Sequence, residues 1–366
     1  MVWTWVKEYL GHGQYELQAL AGFRPNDSMS PSDMLRHTKR KQVSGNMRAV
    51  FYHHHGDAGV LQPGELATPP LQDDEVLVQV GAASVNPIDR RLRAGELQEY
   101  LPRTFPVVPG FDLSGRIVRV GRAVSDWQVG DEVFGLSFTW SVQHGTYAEY
   151  APVRASAIAR KPAWLSHVEA ASLPLVTLTA WQSLAEFAQL SAGQSVLVQA
   201  GAGGVGSLAI PIAKHLGAHV YTTASAANAD YVRGLGADVV IDYRNEDYAA
   251  VIRTREPEGV DVVLESILTD VAIETAMRLV KPGGAVAFMN NEPPDIPDLR
   301  DKPLKAAFVH HRADGASLQQ LLELFERGVL RVPEIRVMDL SEAAEAHRLS
   351  EAGHTRGKIV LRVQEL

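Results

Sequence analysis

The chain has 366 residues, with 35 basic and 43 acidic side chains and a net charge of −8, long enough for two domains with separate cores. That balance, with no basic stripe, offers nothing to a polyphosphate backbone and argues against nucleic acid as a partner. Cysteine is absent, which removes disulfides, thiolate metal sites and a cysteine nucleophile together. No apolar run reaches membrane-spanning length, so a cytoplasmic protein without a membrane partner is expected.

Residues 1–46 differ from the rest. Trp3, Trp5, Val6, Tyr9, Leu10, Leu17 and Leu20 suit one or two short amphipathic helices, followed by a turn-rich stretch over 25–32 and a basic run over 37–41. The stretch lacks the apolar core and cleavage site of a secretory signal, and Glu8, Glu16, Asp27 and Asp33 disfavour a transit peptide. It reads as an extension without an assigned role.

From Met47 the pattern predicts strands over 47–52, 75–84, 113–120, 132–135 and 146–152, punctuated by Gly121, Gly130, Gly135 and Gly145. Short strands at this spacing suggest a small antiparallel barrel. His53, His54 and His55 are adjacent; strand neighbours point to opposite faces, so they make a poor ligand set, and no metal is expected. After Pro162 the pattern turns helical, with Ser166 and Glu169 as a capping box and a long helix over 175–190.

The organising stretch follows. An apolar strand over 196–198 runs into Gly201, Gly203 and Gly206, then into Val205, Leu208, Ala209, Ile212, Ala213 and Leu216 at helical spacing. This is strand, tight turn and helix. Gly201 allows the turn, Gly203 lets main chain approach a pyrophosphate, and Gly206 lets helix and strand pack closely. The second strand, over 219–224, ends at Ser225 with no carboxylate to accept from a ribose diol. NADPH is therefore favoured over NADH, with Ser225, Asn228, Arg233 and Arg244 as candidate partners of a 2′-phosphate.

Beyond it the alternation continues, with strands over 238–241, 260–264 and 284–289 and helices over 228–235 and 271–280. Such alternation predicts a parallel sheet with helices on both faces. Residues 291–303 read as an exposed loop; helices over 318–327 and 342–350 and a strand over 358–363 return to the first domain.

From about Met47 onward the chain resembles the medium-chain dehydrogenase/reductase superfamily, and within it the zinc-free quinone oxidoreductase group. The likeness rests on ordered motifs: Ser84 to Asp89, Val108 to Gly115, Gly130 to Val133, Gly145 to Glu149, Leu178 to Trp181, Ala200 to Gly206 and Arg356 to Leu361. It implies a GroES-like β-barrel catalytic domain over 47–175 and 311–366, and a doubly wound Rossmann domain over 176–310. Zinc-dependent members place ligands at positions corresponding to Asn86, Phe111 and about Leu175, none a plausible zinc set. Without a Lewis acid, conjugated acceptors such as quinones and activated α,β-unsaturated carbonyls are the expected substrates.

The resemblance also implies site roles. Asn86 is the first candidate for donating a hydrogen bond to the acceptor, with simple Asn-Pro turn chemistry as the alternative. Tyr100 would line the acceptor pocket. Arg91 stands where quinone-reducing relatives often carry an aromatic residue, which leaves room for an anionic enoate. Thr179 would meet the nicotinamide end, Gly203, Gly204 and Val205 the pyrophosphate, and Ser225 the adenosine phosphate. Phe288, Met289 and Asn290 would lie near the nicotinamide, while Arg356 and Lys358 would close over the phosphates. His310 and His311 invite a proton-donor role. The alternatives are an enoate or haloacrylate-type C=C reductase, or a cofactor-binding protein without turnover. A homodimer pairing edge strands of the cofactor sheets is expected.

Overall fold

The structure, a computed structural model, describes residues 45–366 apart from 100, 102, 139–142, 268 and 291. The expectations for the N-terminal extension and for Tyr100 lie outside the described residues. The first part contains β1 (Asn46–Phe51), β2 (Gln62–Ala67), β3 (Glu75–Val85), α1 (Pro87–Ala94), β4 (Asp112–Val120), β5 (Glu132–Leu136), β6 (Tyr150–Arg154) and β7 (Ile158–Arg160). Two short helices, α2 (His167–Ala171) and α3 (Pro174–Trp181), lead out of it. The second part alternates: β8 (Ser195–Val198), α4 (Gly204–His215), β9 (His219–Ala224), α5 (Ala229–Gly234), β10 (Val239–Asp242), α6 (Tyr248–Arg255), β11 (Val260–Glu265), α7 (Asp270–Leu279), β12 (Val280–Phe288) and β13 (Lys305–Phe308). The chain then closes with α8 (Gly315–Glu326), β14 (Ile335–Asp339), α9 (Ala343–Glu351) and β15 (Lys358–Arg362).

The second part is a six-stranded parallel sheet in the order β10-β9-β8-β11-β12-β13. The order reverses between β8 and β11, and ligands of doubly wound sheets sit outside the strand C-termini at such a switch point. The first part is a largely antiparallel sheet in the order β14-β15-β3-β4-β5-β7, with β6 also on β3. β15 enters this sheet from the end of the chain, pairing antiparallel with β3 from Ile359–Val85 to Arg362–Ala82.

Several local expectations change. The strand expected over 146–152 is β6, which starts only at Tyr150; before it Ala148 and His144 form isolated bridges to Ala49 and Val108. The long helix breaks after Trp181 into a π-helical turn over Gln182–Phe187. There the Gln182 side chain accepts from the Arg312 N–H at 2.9 Å and donates to its carbonyl at 3.1 Å, fixing the return crossover to the helix. The capping box forms as read: Ser166 Oγ accepts from the Glu169 N–H at 3.2 Å, and the Glu169 carboxylate accepts from the Ser166 N–H at 2.8 Å.

Candidate active site

The glycine turn is built by close packing on one side and openness on the other. A Cβ on Gly201 would stand 2.1 Å from Thr222 Oγ1, and one on Gly206 would stand 2.5 Å from the Ala200 carbonyl. Gly203 is different: a Cβ there meets only the Ala200 carbonyl, at 3.3 Å. Gly203 is the N-cap of α4 and supplies no side-chain cap, so the N–H groups of the first turn, at Gly204, Val205 and Gly206, stand ready for an anion. Gly203, Gly204 and Val205 are partly exposed whereas Gly201 and Gly206 are buried. A diphosphate fits this cradle.

At the end of β9, Ser225 is partly exposed. β10 lies alongside, Asp242 opposite Ala224, so Tyr243 and Arg244 emerge at the same edge. The Arg244 guanidinium lies 5.8 Å from the centre of the half-exposed Tyr243 ring, a residue that sequence reasoning passed over. Arg233 pairs with Asp230 at 2.9 Å on the exposed surface of α5. Arg356 lies over the Tyr231 ring at 5.4 Å and pairs with Glu334, while Tyr231 OH donates to Ser207 Oγ at 3.0 Å in the first turn of α4.

Two residues expected at the cofactor behave otherwise. Phe288 is fully buried in the core with Leu197, Val263 and Val286. Strand alternation turns it away from the cleft, and Met289 and Asn290, partly exposed, carry the edge instead. Lys358 does not reach over the phosphates. Its side chain turns inward, 4% exposed, because its ammonium finds a buried carboxylate and amide there.

That inward centre forms at the start of α1. Asn86 is the N-cap, Pro87 occupies the first helical position, and Asp89 Oδ2 accepts from the Asn86 N–H at 2.7 Å. Asn86 Oδ1 accepts from Lys358 Nζ, and Asn86 Nδ2 donates to Asp112 Oδ2 at 2.8 Å. Asp112 also accepts from Ser84 Oγ at 2.7 Å and the Leu175 N–H at 2.8 Å. With no exposed surface and its amide engaged, Asn86 is corrected from an acceptor-binding donor to a member of a buried network.

The same residues test zinc. Phe111 and Leu175 carry no side-chain donor, and Asn86 offers an amide oxygen already bound to an ammonium. The residues do not fit a zinc ion: two ligands are missing and a cation stands at the third. Among the described residues, no group of three His, Asp or Glu is placed to hold a metal.

A second chain of hydrogen bonds backs Asp89. Arg93, able only to donate, is 3.2 Å from His347 Nδ1, so Nε2 carries the proton and faces Tyr147 OH at 3.3 Å. Tyr147 OH donates to Asp89 Oδ2 at 3.4 Å, and Arg93 pairs with Glu351 at 2.6 Å. Asp89 Oδ1 is buried without a hydrogen-bond partner. Burial pushes the Asp89 carboxyl up to about 7 and holds His347 down at about 3. Burial also raises the Tyr147 hydroxyl well above its ordinary value and lowers the Lys358 ammonium.

Where the two parts face each other, Arg91 Nη1 donates to the Asn290 carbonyl at 3.0 Å and Arg91 Nε pairs with Glu96 at 3.0 Å. On α3, Thr179 is 2% exposed and its hydroxyl has no hydrogen-bond partner. Glu265, at the end of β11 beside the switch point, is buried and pushed up to about 7 by that burial. Burial, with His310 alongside, holds the His311 ring at about 4, so it is neutral near pH 7. His310 faces solvent, 3.6 Å from Glu292.

The sequence matches the alcohol dehydrogenase GroES-like domain family over residues 72–163 and the zinc-binding dehydrogenase family over residues 235–361. It is 33% identical over 330 residues to the 2-methylene-furan-3-one reductase of Solanum lycopersicum, covering 87% of this chain and 80% of that one. It is 33% identical over 345 residues to the chloroplastic NADPH-dependent alkenal/one oxidoreductase of Arabidopsis thaliana, covering 91% and 84% respectively. The quinone oxidoreductase structure from Coxiella burnetii is similar at a TM-score of 0.78 and 33% identity, covering 87% of this chain and 100% of that one. A GroES-like sheet joined to a Rossmann-type parallel sheet with an open glycine turn defines an oxidoreductase. The chain belongs to the medium-chain dehydrogenase/reductase superfamily, in its quinone oxidoreductase group.

Proposed function

We propose that this chain reduces quinones or activated α,β-unsaturated carbonyls by hydride transfer from NADPH, without a metal ion. The observation that carries the reading is the occupancy of the zinc-ligand positions by Asn86, Phe111 and Leu175, with Lys358 on the Asn86 amide. Acceptors that delocalise incoming charge need no Lewis acid. The printed activities of the tomato and Arabidopsis relatives, on a furanone and on alkenals and enones, support the same class.

NADPH, when bound, supplies the hydride from its C4. Gly203, Gly204 and Val205 hold the diphosphate at the N-terminus of α4, and Gly201 and Gly206 keep strand and helix close enough for that seat to exist. Ser225 and Arg244 receive the 2′-phosphate, with Tyr243 beside them and Arg356 across the first turn of α4. The unpartnered Thr179 hydroxyl would meet the nicotinamide end, where Met289 and Asn290 are also expected. Together these groups fix the cofactor's face against the acceptor and exclude water. The domain division at 175/176 and 310/311 and a homodimer through the edge strand β13 belong to the same reading.

Arg91 favours a second reading, a C=C reductase of enoates or haloacrylate-type acids. Its guanidinium bridges to Asn290 at the cleft, where an acceptor carboxylate would compete for its donors. Turnover of an α,β-unsaturated ketone with NADPH deuterated at C4 tests the main reading. With both C4 positions labelled, deuterium at the β-carbon of the saturated product is expected; an unlabelled product, or no turnover of either the ketone or a quinone, would refute it.

A further inference from the structure

Lys358 belongs to two layers of the molecule at once. Its ammonium is buried on Asn86 Oδ1, with the Val85 carbonyl at 3.2 Å and Asp112 Oδ2 at 3.6 Å. Its stem runs beneath the glycine turn, where a Cβ on Gly204 would stand 2.8 Å from Lys358 Cδ. The residue before it is tied to the same turn: the Gly357 N–H donates to the Ala202 carbonyl at 2.9 Å, and Gly203 and Gly357 form a bridge. Asp112 passes the contact on, its Oδ1 accepting from the Leu175 N–H in the first turn of α3, the helix that carries Thr179.

One buried cation therefore touches, directly or through one carboxylate, three elements: the diphosphate turn, the head of α1 and the head of α3. A solvated pair would hold these loosely. A buried pair resists separation, because parting it strands a charge without water. Any tightening of the glycine turn is thus carried to α1, the element bearing Arg91 at the acceptor side of the cleft.

We propose that Lys358 is a positioning residue that couples the cofactor seat to the acceptor end, so that filling the glycine turn stiffens the start of α1 through Asn86. The inference rests on reading the glycine turn as the NADPH seat. It differs from a phosphate contact, since the ammonium acts on Asn86 and Asp112 rather than on the cofactor.

Hydrogen–deuterium exchange of the full chain, with and without NADPH, tests it in wild type, in Lys358→Met, and in Asp112→Asn combined with Lys358→Met. The double variant removes both members of the ion pair, separating coupling from the damage of stranding one of them. In wild type NADPH slows exchange at 201–206 and also at 87–94. In both variants protection at 201–206 persists while the NADPH-dependent protection at 87–94 falls about tenfold. Acceptor turnover then loses kcat with little change in the KM for NADPH. Full protection at 87–94 in either folded variant would overturn the proposal, as would wild-type protection confined to 201–206. No wild-type protection at 201–206 would instead sink the cofactor seat, and the proposal with it. Should neither variant fold, the wild-type arm decides.

Discussion

The Gly357 N–H donates to the Ala202 carbonyl at 2.9 Å, so the last strand of the chain is pinned to the glycine turn of the cofactor sheet. Gly357 makes this approach at φ +67°, and a Cβ there would lie 1.9 Å from the Glu334 carbonyl. Gly357→Ala is therefore expected to cost at least about 2 kcal/mol of stability, from positive φ and the main-chain collision together. Urea unfolding checks the stability, and fluorescence titration should show weaker NADPH binding in whatever protein remains folded.

Two glycines of the turn separate folding from binding. Gly206→Ala drives a Cβ into Ala200 and Gly201 main chain at 2.5 and 2.6 Å, so it should lower the melting temperature sharply. Gly203→Ala meets only one carbonyl at 3.3 Å and has an ordinary φ of −76°. Its stability should change by less than about 1 kcal/mol, while its new methyl fills the diphosphate seat and weakens NADPH by about tenfold or more. Equal effects of the two substitutions on binding and on stability would contradict this division.

Ser225→Asp places a carboxylate where a 2′-phosphate is expected. A like-charge contact of about 1–3 kcal/mol should reduce the preference for NADPH over NADH about tenfold to a hundredfold. Arg244→Ala should weaken NADPH and leave NADH unchanged. The ratio of kcat/KM values for the two cofactors reports both.

Asp89 and His347 flank the Tyr147 hydroxyl and titrate with opposite signs. The Asp89 carboxyl is raised from 3.8 to about 7 by burial, so between those values the folded state keeps a proton that the unfolded state has lost. Its contribution to stability falls as pH rises through that window. The His347 ring is lowered from 6.5 to about 3 by burial, so the unfolded state binds the extra proton there and stability is lost as pH falls. Asp89→Asn should thus gain on wild type more at about pH 8 than at about pH 4, and His347→Gln should blunt the loss on acidification. Melting temperatures across pH measure both slopes.

Much of the cofactor sheet was legible because its signals are local. The strand–turn–helix of β8 and α4 and the strand β9 show their period and glycines within a short window. β2 was not among the expected strands: it contains Pro63 and Gly64, residues that weaken a strand signal, yet an outer strand tolerates both. α1 was missed because its inward face is polar: Asp89 and Arg93 are buried there beside Leu92, so no apolar stripe marks it. The centre itself joins residues far apart in the chain, Asn86 to Lys358 and Tyr147 to His347, and no spacing in the sequence encodes those pairs. Lys358 illustrates the limit: its position suggested the phosphates, and only the buried Asp112 explains why it turns the other way.

The most direct measurement is acceptor-dependent oxidation of NADPH and NADH by the purified full chain in the presence of a chelator, with a small quinone, an α,β-unsaturated ketone and an enoate in parallel. The account predicts NADPH-dependent turnover of the quinone or the ketone that chelator leaves unchanged. Turnover abolished by chelator and restored by zinc, or a clear preference for NADH, would contradict it.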